Sequence, residues 1–230
     1  MESEVSGILV AAHELKAPLC LMRQLALSLD HNQSPDQFNH LKNQLVGVSE
    51  RAMRQVNDLA KIARLEDGLF EMEPVSIRGV CDDVTRELQA LFRFNQRDLR
   101  VKYSNKSRLA LANRDLLYSV IYNFCLNAIH YSGQETLSEL SVQDQRGHIL
   151  VKVRDYGPAL PVDVWREMKR GWLSKPTSIA MRPGSSGLGL YIASKFSKYM
   201  NAEIGAIRHR DGTSFFVALP ISQQVSLFYD

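Results

Sequence analysis

Asn123-Phe124-Cys125-Leu126-Asn127-Ala128-Ile129-His130 is the stretch on which the rest of the chain turns. Leu116, Leu117, Val120, Ile121, Phe124 and Ala128 recur at helical spacing, which predicts a helix opened by Asn113 or Asp115. Asn123 and Asn127 are four apart, so both amides leave one helix face. Alone, such a pair commonly decorates a surface. Here Phe124, Leu126 and Ile129 make the helix mostly buried, and buried amides need partners. A neutral amide oxygen is a suitable ligand for a hard cation such as Mg²⁺ that already carries phosphate oxygens.

Downstream, His148 to Arg154 alternates apolar and polar residues and predicts a central strand. It ends in Val153-Arg154-Asp155-Tyr156-Gly157-Pro158. Asp and Gly are turn formers, so a plain strand-end turn is one reading. The other is a pocket carboxylate that accepts a hydrogen bond from an exocyclic amine such as adenine's. Further on, Gly184-Ser-Ser-Gly187-Leu188-Gly189 runs into a helical pattern from Leu188 to Met200. Backbone N–H groups at a helix start favour phosphate. No strand immediately precedes this loop and no Gly-Lys-Ser/Thr follows it, which excludes a dinucleotide fingerprint and a P-loop.

The remaining C-terminal pattern fills in around these motifs. Glu73–Ile77 predicts a short strand, residues 78–93 a helix, Leu99–Tyr103 and Leu109–Leu111 further strands. Ser132–Gly147 reads as loop with at most one edge strand, and Pro158–Ser186 as irregular. Strands follow near Glu203–Arg208 and Thr213–Leu219. The expected class is α+β: an α/β sandwich with a mixed sheet and helices on one face.

The N-terminal third is different. Ile8, Ala12, Leu15, Leu19, Met22, Ala26 and Leu29 step by alternating fours and threes, a heptad seam. Leu41, Leu45, Val48, Ala52, Gln55, Leu59 and Ile62 repeat it, and Gly68 ends it. Between the two, Ser34 can cap a helix with Pro35 in its first turn. Two seamed helices on a short turn predict an antiparallel hairpin that dimerises into a four-helix bundle. A monomeric hairpin packed on the rest of the chain is the alternative. The expected domains are 1–70 (dimerisation), 71–222 (α/β sandwich) and a tail, 223–230.

Composition narrows the partners. The 230 residues carry a net charge of +3 with no basic stripe, which argues against nucleic acid. Cys20, Cys81 and Cys125 are odd in number, far apart and set in apolar stretches, as reduced buried thiols would be. No apolar run approaches the roughly 18–20 residues that cross a bilayer, and the N-terminus lacks signal-peptide character. A cytoplasmic protein is expected, or the cytosolic part of a longer, membrane-bound protein.

In order, Asn…Asn on a helix, Asp-x-Gly after a strand and Gly-x-Gly-Leu opening a helix resemble the ATP-binding fold of gyrase, chaperone, mismatch-repair and histidine-kinase ATPases. The likeness spans about residues 71–220. It implies that ATP is bound with Mg²⁺ on Asn127 and its partner Asn123. Asp155 and Gly157 would meet adenine, and Gly187, Leu188 and Gly189 would form the phosphate loop. Thr213, in the Gly212-Thr213 pair before the last strand, completes the set. His130 stands where a phosphate-contacting Lys is common.

The first helix then becomes readable. His13-Glu14-Leu15-Lys16-Ala17-Pro18-Leu19 resembles the phosphoacceptor box of sensor histidine kinases. The resemblance implies a homodimer through residues 1–70 in which ATP phosphorylates His13, with Glu14 as the general base for the other ring proton. The phosphoryl group then passes to an aspartate of a response-regulator receiver domain. Pro18 inside the helix is expected to bend it and free the Glu14 carbonyl. Lys16 either attracts phosphate or is a solvated surface cation.

The sequence departs from the family pattern at Ala17, where relatives carry Thr or Asn, at His130, and at Ala159 and Ser185, which replace glycines. Ala17 predicts weak or absent phosphatase activity toward the regulator. Trp165, Trp172 and Lys175 stand in the lid between Pro158 and Gly184 as core or contact residues. The rival functions are a catalytically weak or inactive nucleotide-binding phosphotransfer scaffold of the same fold and a dimer-clamp ATPase.

Overall fold

A computed structural model describes residues 2–30, 33–104, 108–133, 136–145, 147–170 and 187–223. The side chains of residues 2–14, 163, 167, 169 and 170 lie outside that description. The chain divides into two compact units, one holding the N-terminal helices and the other beginning at Leu65.

The first unit is a helical hairpin of α1 (Glu2–Leu27) and α2 (Pro35–Ala63). α2 starts where its cap dictates. The Ser34 hydroxyl accepts from the Gln37 N–H at 3.3 Å, the Gln37 side chain accepts from the Ser34 N–H at 3.4 Å, and Pro35 takes the first helical position. The seam of α2 is turned inward: Val48 and Ala52 are buried, and Leu41, Leu45, Gln55, Leu59 and Ile62 half-buried. α1 covers its seam less well. Leu15, Met22 and Leu29 are half-buried, but Leu19 and Ala26 are exposed, since a single partner helix shields only part of a heptad face. α1 runs through Pro18 as one helix. α2 ends at Ala63, and a single 3₁₀ turn (Leu65–Asp67) precedes Gly68, whose φ of +67° suits glycine.

In the second unit β1 (Glu73–Ser76) leads into α3 (Ile77–Phe94). β2 (Asp98–Tyr103), β3 (Leu109–Ala112) and α4 (Arg114–Tyr131) follow. Then come β4 (Leu137–Gln145), β5 (His148–Arg154), α5 (Val162–Arg170), α6 (Leu188–Tyr199), β6 (Glu203–His209) and β7 (Gly212–Pro220). Five strands form one mixed sheet in the order β2-β4-β5-β7-β6, parallel only between β2 and β4. β1 and β3 pair separately, antiparallel.

α3 presents Ile77, Val80, Cys81, Val84, Leu88 and Phe92 at helical spacing to the core. α4 is buried around most of its circumference and packs on β4 and β5. Phe124 of α4 stacks on Phe215 of β7 with ring centroids 5.8 Å apart, worth about 0.5–1.5 kcal/mol beyond the area buried. Ile149, Val151 and Val153 of β5 and Val217 and Leu219 of β7 complete this layer.

Three expectations are corrected. The stretch expected to be loop holds β4, a nine-residue strand inside the sheet rather than at its edge. Its core positions include Ser138, fully buried with its hydroxyl 3.2 Å from that of Ser132, so a polar residue hides the alternation. The irregular stretch holds α5, with Met168 buried. Cys81 and Cys125 are buried, but Cys20 is exposed on α1.

Candidate functional site

α4 fixes the two amides. Asn123 is buried, and its Nδ2 donates to the Ser119 carbonyl at 2.8 Å, one turn back. That bond sets the amide so that Oδ1 lies against Gly189 near the start of α6, where a Cβ would stand 2.7 Å from Oδ1. Asn127 lies one turn on, and its buried Nδ2 has no hydrogen-bond partner among the described residues. An orphaned donor costs about 1–3 kcal/mol, which a ligand oxygen would repay. His130 is exposed at the end of the same helix.

Asp155 follows β5 and is 2% exposed. Its Oδ1 accepts from the Gly157 N–H at 3.1 Å and from the Thr213 N–H at 3.2 Å, while its own N–H donates to the Thr213 carbonyl at 2.9 Å. The carboxylate is therefore oriented by backbone from two segments that are 58 residues apart. Two glycines make this possible. A Cβ on Gly157 would stand 1.7 Å from the Tyr131 carbonyl oxygen, so the Asp155 turn sits directly on the end of α4. A Cβ on Gly212, at φ +142°, would stand 2.1 Å from the Asp155 carbonyl oxygen.

The residues singled out in the sequence thus come together in two groups: Asn123 with Gly189, and Asp155 with Gly157, Gly212 and Thr213. Gly187 has φ +69° and Leu188, buried, opens α6. His13 and Glu14 lie within α1, with side chains outside the described part, as Gly184, Ser185, Trp172 and Lys175 are altogether. Ser119, Arg154, Tyr156 and Asp211 were not anticipated. Arg154 Nη2 lies 2.7 Å from Asp211 Oδ1, and its guanidinium carbon 4.6 Å from the centre of the Tyr156 ring. The only hint in the sequence is that Arg154 and Tyr156 flank Asp155 and Asp211 precedes Gly212; nothing in it marks Ser119.

The donor set fits a magnesium-bound triphosphate. One amide oxygen is held in place, a second amide has a buried N–H to spare for a phosphate oxygen, and Gly157, Gly189 and Gly212 each make a close approach that a Cβ would block.

Residues 112–223 match the family model described as histidine kinase-, DNA gyrase B- and HSP90-like ATPase. The probable sensor histidine kinase TcrY of Mycobacterium tuberculosis is 28% identical over 213 residues, which are 92% of this chain and 44% of that one. The chain spans about half or less of the length of the curated relatives it matches. The histidine kinase AdeS of Acinetobacter baumannii superposes with a TM-score of 0.64 at 16% identity, covering 92% of this chain and 98% of that one. The histidine kinase ThkA, solved in complex with the response regulator protein TrrA, gives 0.63 at 19% identity over 92% of this chain and 60% of that one. Residues 112–223 therefore match the histidine kinase-, gyrase- and HSP90-like ATPases, and the chain over most of its length is similar to histidine kinase catalytic cores.

Proposed function

We propose that this core uses ATP to phosphorylate its own His13 and then passes the phosphoryl group to an aspartate of a response-regulator receiver domain. The observation that carries the nucleotide half is an oriented Asn123 beside an Asn127 whose buried N–H has no partner among the described residues, on the helix that the Asp155 turn abuts. The phosphoacceptor box around His13, on α1, carries the other half.

In this reading Asp155 accepts a hydrogen bond from the adenine amine, and Gly157 lets the turn close on α4. Gly187, Leu188 and Gly189 offer backbone N–H groups to the phosphates. Thr213 anchors Asp155, and His130 meets the triphosphate at the mouth. Asn127 and Asn123 would hold Mg²⁺, which when bound neutralises phosphate oxygens. A neutral His13 imidazole attacks the γ-phosphorus, the bond to the β-phosphate oxygen breaks, and ADP leaves. Glu14 takes the proton from the other ring nitrogen.

Residues 1–70 form the dimerisation and phosphotransfer domain, 71–222 the catalytic domain and 223–230 a tail. Dimerisation through the hairpin is supported by the exposed Leu19, Leu27, Met53 and Val56, which a second hairpin would cover. A receiver-domain partner is supported by the ThkA complex with its regulator. No described helix is long and apolar enough to cross a membrane, which suits the cytoplasmic part of a larger sensor.

Incubation with labelled ATP and Mg²⁺ tests this. Acid-labile, base-stable label is expected on the wild type and none on His13→Gln or Asn127→Ala. Equal label on His13→Gln refutes the assignment.

A further inference from the structure

Asp155 is flanked in sequence by two residues that the nucleotide reading leaves unused, Arg154 and Tyr156. Arg154 is the last residue of β5 and pairs with Ser214 of β7. Partners across a strand pair share a face, and successive residues alternate, so Arg154 projects from the face opposite that of Asp155. There it lies over the Tyr156 ring, 4.6 Å from its centre, and reaches Asp211 at 2.7 Å. Asp211 belongs to the two-residue turn between β6 and β7, immediately before Gly212. Gly212 and Thr213 are the residues that touch Asp155: one through its close approach to the carbonyl, the other through the N–H that orients Oδ1. On the same face as Arg154, His209 Nε2 lies 2.9 Å from Ser214 Oγ and closes the other side of the turn.

The ion pair thus joins the two segments that hold the carboxylate, from behind. Its Arg154 end is largely buried, with 15% of the side chain exposed, and its Asp211 end is 68% exposed. An exposed carboxylate contributes little to folding. Its geometry is a different matter, because a shift of the β6–β7 turn moves the Thr213 N–H and with it the direction of Oδ1.

We propose that Arg154 and Asp211 are positioning residues that clamp the β6–β7 turn against β5 and so aim Asp155 at the exocyclic amine of the base. They thereby set the preference for adenine. This rests on the nucleotide reading above. The pair acts through Asp155 and touches no substrate itself.

The test compares ATP with purine riboside triphosphate, which lacks the exocyclic amine, by competition binding to the whole chain. The wild type should prefer ATP about ten-fold or more, and Asp155→Asn should abolish the preference. Asp211→Ala and Arg154→Gln should each weaken ATP binding about three- to five-fold with the amine-free analogue unchanged. Asp211→Glu should restore the preference. Equal loss of both nucleotides, or an unchanged preference in both variants, overturns the clamp while leaving the nucleotide site standing. A wild type that takes up neither nucleotide sinks the site and the clamp together. Asp211, being exposed, can be changed without threat to folding, so the Asp211 pair of variants decides even if Arg154→Gln is unstable.

Discussion

Replacing Gly189 with alanine separates the chemistry of the site from the stability of the fold. The new methyl would stand 2.7 Å from Asn123 Oδ1 and 3.4 Å from its carbonyl carbon. Among the described residues the atoms nearest to it all belong to that side chain, so the amide must give, opening the contact to about 3.4 Å, where ordinary packing begins. Asn123 is tied behind by its 2.8 Å bond to the Ser119 carbonyl, and moving away strains or breaks that bond. The cost to folding is one hydrogen bond, about 1 kcal/mol, or a few degrees in Tm. The cost to a cation is larger. Mg²⁺ demands near-octahedral oxygens at about 2.0–2.1 Å with little tolerance, so an oxygen displaced by several tenths of an ångström no longer fits. The magnesium-dependent part of nucleotide affinity should fall about ten-fold or more, the range seen when groups orienting a metal ligand are lost. Calorimetric titration with a non-hydrolysable ATP analogue, with Mg²⁺ and with EDTA, measures that part directly. An unchanged gain from Mg²⁺ in a folded Gly189→Ala protein, or an equal loss in EDTA, would refute the role of Asn123.

Gly157→Ala should do the reverse: its methyl meets the Tyr131 backbone at 1.7 Å, so about 3 kcal/mol or more is expected, read as a melt lowered by roughly 6–12 °C. A Tm within 2 °C, roughly the scatter expected of a neutral change, contradicts the close approach. Burial raises the Cys125 pKa to about 12 and pushes Cys81 up as well, with neighbouring Cys125 and Asp82 adding to it, whereas Cys20 is exposed. Iodoacetamide should therefore label Cys20 alone in the native protein and all three after unfolding, as counted by intact mass. His209 is held below the ordinary imidazole value by burial first and the Arg154 charge next, Asp211 pulling the other way and Lys152 adding to the lowering. The unfolded chain takes up that proton near pH 6.5 and the folded chain only at lower pH, so stability is intact above about 6.5 and declines as pH falls through it. Melts between pH 7.5 and 5.5 should show that decline, and His209→Gln should flatten it. An identical pH slope in the variant would count against the assignment.

Much of the fold was legible because its signals are local. Ser34-Pro35-Asp36-Gln37 contains the whole of the cap that starts α2, and the heptad steps of Leu41 to Ile62 name the side that is covered. The stripe from Ile77 to Phe92 and the alternation of β5 were equally plain. β4 was not, because Ser138 sits in the core on the strength of a hydroxyl partner, Ser132, six residues away, and no apolar pattern records that. α5 lies in a stretch rich in turn formers, which hide its helical pattern. Cys20 was expected to be buried from its apolar neighbours, but only packing decides which side of a helix is covered.

The site divides in the same way. The order of the motifs along the chain, and the family resemblance it carries, single out Asn123, Asn127, Asp155 and the glycines as candidates, since amides, carboxylates and close backbone approach are visible in residue identity. How those groups are held belongs to the tertiary structure. The Thr213 N–H reaches Asp155 only because β7 pairs with β5, and Gly157 is obligatory only because the end of α4 lies against it. Arg154 and Asp211 meet across 57 positions of sequence. Contacts of that separation follow from strand register and helix packing, which sum many weak preferences over the whole domain, and no short stretch of residues contains them.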